Sequence, residues 1–475
     1  MIFDNLNQIP SFNEIIIIGS GPAGITTALE LEKRGISSII FEAGKLNQSQ
    51  ESQNFYKGKI IGDDYPDLSI SRLRQFGGTS GHWGGNCVEL DEYDFENWPI
   101  KKNDLEKFKK KSYKILNIKG DFYKKKFNNQ IDVKNLNWSN VRFKEKFFNK
   151  IKKSKKISLI VDCPLINFTG ENGLINGANF LNNQISRNIK GKIFVLSAGG
   201  IENSRLLLWS REKNSNLINK TLPIGNYWMD HPYHSVAEGV LFKENFDNYL
   251  NYNNLKNYID ANCNYSFFFS PNKLAIKNLE VLNTLINIGI FKKDKKNKDN
   301  IFEKLKCIAP SLIKEKIFKD GDTQNYNFSI SLLTDQEPFF NNRITLDKKT
   351  DPNNIPKPIL HWKRSNKIRE SSRKIVEIFA NFLIDKNLGR LAADEFLYSN
   401  QKYTHMNGYH HMGGTRMGIS KNNSVVDKNL KVHDTKNLYI SGSSVFVTAG
   451  NAYPTLTITQ LSLKLADHIT RLIKS

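Results

Sequence analysis

The order of apolar and polar residues along the 475-residue chain differs between its two ends and its middle. Near the N-terminus, an apolar run at residues 15–18 precedes a glycine turn, a helical stretch from Ile25 to Arg34 and a second apolar run at residues 39–41. Continuous apolar runs are typical of parallel strands that are buried on both faces. The order of strand, glycine turn, helix and strand therefore predicts a βαβ unit.

Two later segments also contain continuous apolar runs, whereas the region between them alternates apolar and polar residues. Residues 192–208 again show an apolar run, a glycine turn and a helical pattern, and residues 437–473 end in an amphipathic helical pattern. Between about 232 and 404, the alternation predicts an antiparallel sheet. Helices are expected around residues 276–290 and 366–386.

These patterns predict an α/β fold with a discontinuous Rossmann-type nucleotide-binding domain. That domain would comprise residues 1–90, 157–231 and 405–475. An antiparallel-sheet α+β domain for the substrate would cover residues 232–404, and the charged, aromatic stretch 91–156 would form a helical or irregular insertion. The chain length agrees with two or three domains at ~150 residues each.

The composition limits which partners and which cellular compartment are expected. A formal charge of +22 and a pI near 9.5 would suit an anionic partner. Because lysine is spread over most of the chain and no recognition motif accompanies it, we predict no nucleic-acid partner. The four cysteines include no CxxC pair, the N-terminus lacks the pattern of a signal peptide, and no apolar run reaches ~18 residues. These features predict a cytoplasmic protein without disulfides, structural zinc or a transmembrane segment.

A G-x-G-x-x-G fingerprint lies between the first apolar run and the first helix. Gly19 permits the tight turn, Gly21 lets the backbone approach a pyrophosphate, and Gly24 allows close packing of helix on strand. Glu42 ends the second apolar run, where a carboxylate can accept hydrogen bonds from ribose hydroxyls. The fingerprint predicts a bound dinucleotide without a 2′-phosphate, and it does not distinguish FAD from NAD.

Five further segments follow this fingerprint in a fixed order. They are RLRQFGGTSGHWGGNC (72–87), FVLSAGGIENSRLLL (194–208), GNYWMDHP (225–232), GYHHMGGTRMG (408–418) and the segment 439–469, which contains GNAYPTLT. Together with the fingerprint they resemble the glucose–methanol–choline (GMC) oxidoreductase family, most strongly the branch that contains pyranose oxidase and the sugar dehydrogenases. The likeness covers both ends of the chain and is loose in the middle, around residues 335–347.

The resemblance implies a tightly bound FAD and oxidation of a small-molecule alcohol, such as a sugar or polyol, to a carbonyl. A hydride would pass to flavin N5, and the electron acceptor would be oxygen, a quinone or an electron-transfer protein. In some relatives the histidine at the position of His82 carries the flavin covalently; the alternative here is a hydrogen bond near the flavin ring. The residues that the resemblance places at the cofactor are Gly19, Gly21, Pro22, Ala23, Gly24, Glu42, Ala43, Arg74, Gly77, Gly78, Thr79, Ser80, His82, Trp83, Gly84, Ala198, Gly199, Gly442, Ser444, Pro454 and Thr455.

Two adjacent histidines are candidates for the base that takes the hydroxyl proton. Imidazole suits this role because its unperturbed pKa of ~6.5 lies near the working pH. Adjacent residues on an extended segment point in opposite directions, so we expect only one of His410 and His411 to face the flavin. The H-x-x-G-T pattern of the family matches His411 to Thr415, which predicts His411 as the base and His410 as a packing or supporting residue.

The second catalytic residue has two candidates. The family usually has His or Asn directly before a Pro-Thr pair, whereas this chain has Tyr453 there and Asn451 two positions earlier. Because of this departure, a flavin-retaining lyase stays open as an alternative, as does a non-catalytic nucleotide-binding protein. His405, His231 and His234 lack a metal-ligand spacing, so no bound metal is expected.

Overall fold

The computed structural model describes residues 1–254, 266–291, 325–399, 401 and 407–475. Cys263, Cys307 and His405 lie outside this part of the chain.

A mainly parallel sheet is built from the segments with continuous apolar runs. Residues 15–18 are at most 4 % exposed because they lie in the middle of this sheet, paired in parallel with Ser38–Phe41 on one side and with Ile185–Leu196 on the other. Burial on both faces explains why the run contains no polar residue. In spatial order the described strands are Ile2–Phe3, Ile157–Ile160, Ser38–Phe41, Phe12–Ile18, Ile185–Leu196, Leu174–Asn182 and Leu165–Glu171, and Leu438–Ile440 also pairs with Ile185–Leu196.

Two long helices pack together on this sheet. The first, Pro22–Lys33, begins directly after the glycine turn, and the second, Pro454–Lys474, ends the chain. Apolar residues of both helices, such as Ile25 and Leu461, belong to one continuous hydrophobic core. The βαβ unit and the amphipathic C-terminal helix expected from the sequence are therefore confirmed.

An antiparallel sheet contains most of the alternating segments from the middle of the chain. Helix Asn366–Asp385 covers it, and Ile375 and Phe379 of this helix share a second hydrophobic core with Phe328 and Ile330 of the sheet. The α/β fold with an added antiparallel sheet is confirmed. In spatial order the described strands of this sheet are Gly389–Ala393, Tyr233–Phe242, Asn325–Thr334, Thr284–Phe291, Ser266–Pro271, Ile131–Lys134 and Lys124–Lys126.

The prediction of a helix at residues 276–290 is wrong. A short helix, Lys273–Leu279, ends at Glu280 in a left-handed conformation (φ +53°), and Thr284–Phe291 is a strand. This stretch is rich in isoleucine and pairs with a strand on each side, so sheet pairing decides its structure.

The stretch 91–156 is helical in part, but Ile131–Lys134 pairs with Ser266–Pro271 and joins the antiparallel sheet. The other described helices are Gln50–Asn54, Asn103–Glu106, Lys109–Leu116, Phe143–Lys153, Glu202–Lys213 and Lys243–Tyr252, with 3₁₀ turns at Leu6–Gln8, Gly78–Gly81, Glu92–Phe95, Glu395–Leu397 and Ser443–Val445. Small sheets contain Arg343–Thr350, Pro356–Trp362 and Lys59–Gly62, and Asn86–Cys87 with Asn137–Trp138. Within the described ranges, none of the helices has the length and apolar character required to cross a bilayer.

Candidate active site

A cavity of about 650 Å³ lies at the carboxyl ends of the parallel strands. Gly19, Glu42, Ser197 and Gly442 each follow a strand of the parallel sheet closely, and all four line this cavity. The volume falls in the range of small-molecule and cofactor sites, about 300–1,000 Å³. Ligands of α/β sheets bind at this edge, so the position of the cavity agrees with a nucleotide site.

The glycine turn is tightly packed on its strand side and open on its cavity side. Gly19 has a φ of +100°, and a Cβ there would lie 2.5 Å from the carbonyl oxygen of Ser197. A Cβ on Gly24 would lie 2.0 Å from the carbonyl oxygen of Gly19. At Gly21, by contrast, no atom lies within 4 Å of such a Cβ. The N-terminus of helix Pro22–Lys33 thus borders open space that suits a pyrophosphate.

Glu42 is fixed at the cavity wall by three hydrogen bonds. One carboxylate oxygen accepts from the backbone N–H of Ser20 (2.9 Å) and its hydroxyl (2.6 Å), and the other accepts from the N–H of Gly44 (2.7 Å). Burial raises the pKa of Glu42, and the bonds from Ser20 and Gly44 oppose this rise. The carboxylate is therefore held rigidly where a ribose would meet it.

The loop expected to face the flavin is anchored to helix Phe143–Lys153. Ser80 donates a hydrogen bond to the carbonyl of Gly77 (2.7 Å) and accepts one from the N–H of Phe143 (3.1 Å). Trp83 donates through its indole N–H to the carbonyl of Val141 (2.8 Å). His82 is exposed at the cavity, where partial burial and the charge of a nearby arginine lower its pKa. At neutral pH its imidazole is therefore uncharged.

The residues predicted at the cofactor line this cavity, with three exceptions. Gly24 packs on Gly19, and Gly77 packs so closely on helix Phe143–Lys153 that a Cβ would lie 2.7 Å from its backbone. The hydroxyl of Ser444 accepts hydrogen bonds from other side chains of the wall. These three residues pack behind the residues that line the cavity.

Both adjacent histidines line the cavity, unlike the expectation for an extended segment. Tyr409, directly before them, has a left-handed backbone (φ +58°), so the segment is not extended there. Nε2 of His411 lies 3.0 Å from the hydroxyl of Tyr65, which donates its proton to Asp230 (2.7 Å). With the Tyr65 proton on Asp230, Nε2 of His411 is the donor to Tyr65, and it also lies 3.2 Å from the hydroxyl of Ser71. Burial and a nearby arginine lower the pKa of His411 to about 3.

The ring of His410 packs against the ring of Tyr453 at the cavity wall. Their rings meet edge to face with centroids 5.1 Å apart. The backbone N–H of His410 donates to Asp230 (2.6 Å), and its Nδ1 lies 2.8 Å from Nδ1 of His231. Burial lowers the pKa of His410 well below its usual value. The His410 ring is thus neutral, and its contact with His231 holds it at Nδ1.

The two candidates for the second catalytic residue occupy different places. Tyr453 lines the cavity, whereas Asn451 is fully buried and does not. The side-chain oxygen of Asn451 accepts a hydrogen bond from Nζ of Lys134 (2.9 Å), which also pairs with Asp91 (2.9 Å). Asn451 therefore belongs to a buried polar network that links the cavity wall to the antiparallel sheet.

Sequence reasoning missed several residues that hold this site. Asp230 lies in the quoted segment GNYWMDHP, where an acid beside a histidine was the available signal. Tyr65 lies in no recognisable motif, and only the fold brings it to His411. In the described part of the chain, no cluster of three or more His, Cys, Asp or Glu could hold a metal ion.

The glycine turn, the helix N-terminus and the fixed Glu42 define a Rossmann-type dinucleotide-binding protein. Residues 13–61 match the FAD binding domain, and residues 338–462 match the GMC oxidoreductase family. The C-terminal part of the chain is thus similar to the GMC oxidoreductases, in agreement with the resemblance of its motifs, and the cofactor that the two matches indicate is FAD. The open space at Gly21 and the carboxylate of Glu42 fit the pyrophosphate and a ribose of this cofactor.

Two relatives and two solved structures illustrate the likeness. The large subunit of fructose dehydrogenase from Gluconobacter japonicus is 27 % identical over 61 % of this chain and 49 % of that protein. The 2-methyl-1,2-propanediol dehydrogenase of Mycolicibacterium austroafricanum is 24 % identical over 63 % of this chain and 52 % of that protein. This chain thus spans about half the length of these relatives.

Pyridoxine 4-oxidase from Mesorbium loti shares the fold with a TM-score of 0.58, at 12 % identity over 96 % of this chain and 99 % of that one. A formate oxidase structure gives a TM-score of 0.57, at 16 % identity over 98 % of this chain and 99 % of that one.

Proposed function

We propose that this protein is an FAD-dependent oxidoreductase that oxidises the CH–OH group of a sugar- or polyol-like alcohol to a carbonyl. The observation that carries the proposal is the placement of a neutral histidine and a tyrosine at the same cavity as the FAD cradle. Matches to dehydrogenases of fructose and of a diol support an alcohol substrate. Bound FAD supplies the acceptor of the hydride.

The hydrogen bonds favour His410 over His411 as the general base. Nε2 of His411 donates to Tyr65, so this nitrogen cannot also take a proton. Nδ1 of His410 is engaged by His231, and Nε2 of His410 forms no hydrogen bond within the described residues. We propose that Nε2 of His410 takes the hydroxyl proton, with His411, chosen by the H-x-x-G-T spacing, as the alternative.

Tyr453 is the proposed partner of His410. Its ring packs against His410 at the cavity, where its hydroxyl can donate a hydrogen bond to the substrate oxygen. Tyr453→Phe should lower the rate of flavin reduction about 10-fold or more, since a positioned donor is lost. Asn451→Ala should instead lower stability by about 1–3 kcal/mol, because Lys134 loses a buried acceptor. The reverse outcome would assign the catalytic role to Asn451.

Anaerobic mixing with sugars, sugar alcohols and other alcohols tests the proposed function. A substrate should bleach the absorbance of the oxidised flavin, and His410→Gln should bleach far more slowly at equal flavin content. A flavin that stays oxidised while product forms would instead establish a lyase. Purified protein without flavin absorbance would favour a nucleotide-binding protein without catalysis.

Covalent attachment of the flavin through His82 is a separate proposal. It is supported by the position of His82 at the cavity and by its lowered pKa, which keeps the imidazole uncharged and nucleophilic. Acid-precipitated protein that releases all its yellow colour would rule it out. Retention of the colour in wild type and its release from His82→Ala would support it.

A further inference from the structure

His231 is fully buried beneath the cavity and contacts hydrogen-bonding atoms at both ring nitrogens. Its Nε2 lies 2.9 Å from the carbonyl oxygen of Gly450 and 3.2 Å from that of Ala449. Its Nδ1 lies 2.8 Å from Nδ1 of His410. Because carbonyl oxygens only accept hydrogen bonds, Nε2 of His231 must carry a proton.

The protonation of His231 fixes the direction of the bond to His410. Burial lowers the pKa of His231 to about 4, so its ring is neutral at working pH and its Nδ1 holds a lone pair. Two nitrogens 2.8 Å apart need one proton between them, and that proton must then sit on Nδ1 of His410. A neutral His410 with a proton on Nδ1 has its lone pair on Nε2.

The backbone around this histidine pair is held so that the rings stay aligned. One oxygen of Asp230 accepts from the N–H of His231 (2.8 Å) and from the N–H of His410 (2.6 Å). Gly408 donates to the carbonyl of His231 (2.7 Å), and a Cβ there would lie 3.0 Å from Nδ1 of His410. A residue larger than glycine at 408 would therefore press on the bond between the two rings.

We propose that His231 is a positioning residue that holds His410 in the Nδ1–H tautomer, so that Nε2 of His410 is the basic nitrogen. The inference rests on the proposed function, because it takes His410 as the base. When Nε2 of His410 gains the substrate proton, the Nδ1–H bond to His231 remains and stabilises the imidazolium. No proton passes to His231, since among the described residues its Nε2 faces only carbonyl oxygens.

His231→Leu and His231→Asn test this role in the FAD-loaded enzyme. Leucine removes the acceptor, whereas the side-chain oxygen of asparagine can reach the place of Nδ1 and accept from His410. We expect His231→Leu to slow flavin reduction about 10- to 100-fold, less than loss of the base itself, with KM nearly unchanged. His231→Asn should recover most of the rate. Equal loss in both variants, or a normal rate in His231→Leu, would overturn the proposal.

A substrate-free measurement separates this inference from the proposed function. In ¹⁵N-histidine-labelled holoenzyme, the ring signals of His410 are identified by their absence in His410→Gln. We expect a proton on Nδ1 of His410 in wild type and in His231→Asn. In His231→Leu we expect either loss of the proton from Nδ1 or exchange between the two tautomers. A proton on Nε2 of His410 in wild type would overturn the tautomer assignment. The expected tautomer without flavin bleaching by any alcohol would support the positioning role and refute only the proposed function.

Discussion

At the scale of single residues, the carboxylate of Asp230 organises the catalytic side of the cavity. It accepts hydrogen bonds from the hydroxyl of Tyr65 and from the backbone N–H groups of His231, Tyr409 and His410. These donors come from three separate segments of the chain. A fully buried acid thereby fixes the backbone positions of both His231 and His410, and we expect its ionisation to have a measurable effect on stability.

Burial raises the pKa of Asp230 to about 6, so the folded protein holds this proton more tightly than the unfolded chain does. The stabilising contribution is complete below pH ~4, near the unfolded pKa, and is lost as the pH rises through about 6. The free energy of unfolding of wild type minus that of Asp230→Asn should therefore increase, by up to roughly 3 kcal/mol, on acidification across this window. Denaturant unfolding of both proteins measures it, and a constant difference would contradict it.

His410→Gln and His411→Gln separate the two candidate bases. Glutamine cannot take a proton at neutral pH, so His410→Gln should slow flavin reduction ~10²-fold or more. In His411→Gln the side-chain amide can still donate to Tyr65, so we expect a loss below about 10-fold. Stopped-flow reduction with one substrate measures both, and flavin absorbance controls for cofactor loss. A severe loss in His411→Gln alone would establish the assignment made from the H-x-x-G-T spacing.

The cofactor turn could be predicted from the sequence because its residues are local. Gly19, Gly21 and Glu42 lie within one βαβ unit, where spacing along the chain fixes position in space. The roles of the two histidines could not be predicted in this way. The direction of the His410 ring depends on a left-handed residue before it and on His231, 179 residues earlier in the chain.

At the scale of helices and strands, pattern alone predicted elements whose partners are close in sequence. Phe12–Ile18, Pro22–Lys33 and Ser38–Phe41 follow one another and pair or pack directly. Thr284–Phe291 is a short apolar run of the kind that suits a buried helix or a strand. Its strand partners on either side decide the outcome, and one of them, Asn325–Thr334, lies far along the chain.

The glycine turn gives a prediction at this scale. Gly21→Ala should lower flavin content while leaving the melting temperature of the apoprotein nearly unchanged, because its φ of −70° suits alanine and its Cβ would meet no protein atom within 4 Å. Gly24→Ala is the matched contrast, since its Cβ would lie 2.0 Å from the carbonyl oxygen of Gly19 and should lower the melting temperature itself. Flavin absorbance and thermal unfolding measure both effects. Full flavin content in Gly21→Ala would contradict a pyrophosphate at this position.

At the scale of the whole molecule, buried hydrogen bonds connect the wall of the cavity at the parallel sheet to the antiparallel sheet. The parallel sheet supplies Gly19 and Glu42 at the cofactor end. Beyond the strand Leu438–Ile440, the chain continues to Asn451, whose hydrogen bonds reach Lys134 and Thr284 of the antiparallel sheet. We propose that the described part of residues 232–404 closes the substrate side of the cavity, while the cofactor is held by the parallel sheet.

This division predicts how FAD changes the stability of different parts of the molecule. A ligand that contacts one sheet should stabilise the local openings of that sheet more than those of the other. Amide hydrogen exchange should therefore slow with FAD in peptides that cover residues 13–43, 72–86 and 438–458. Peptides from Tyr233–Phe242 and Asn325–Thr334, in the second hydrophobic core, should change little. Mass spectrometry of flavin-free and loaded protein measures this, with Gly21→Ala as a flavin-poor control. Equal protection in both sheets would show that FAD stabilises the molecule as one cooperative unit and would contradict the proposed division.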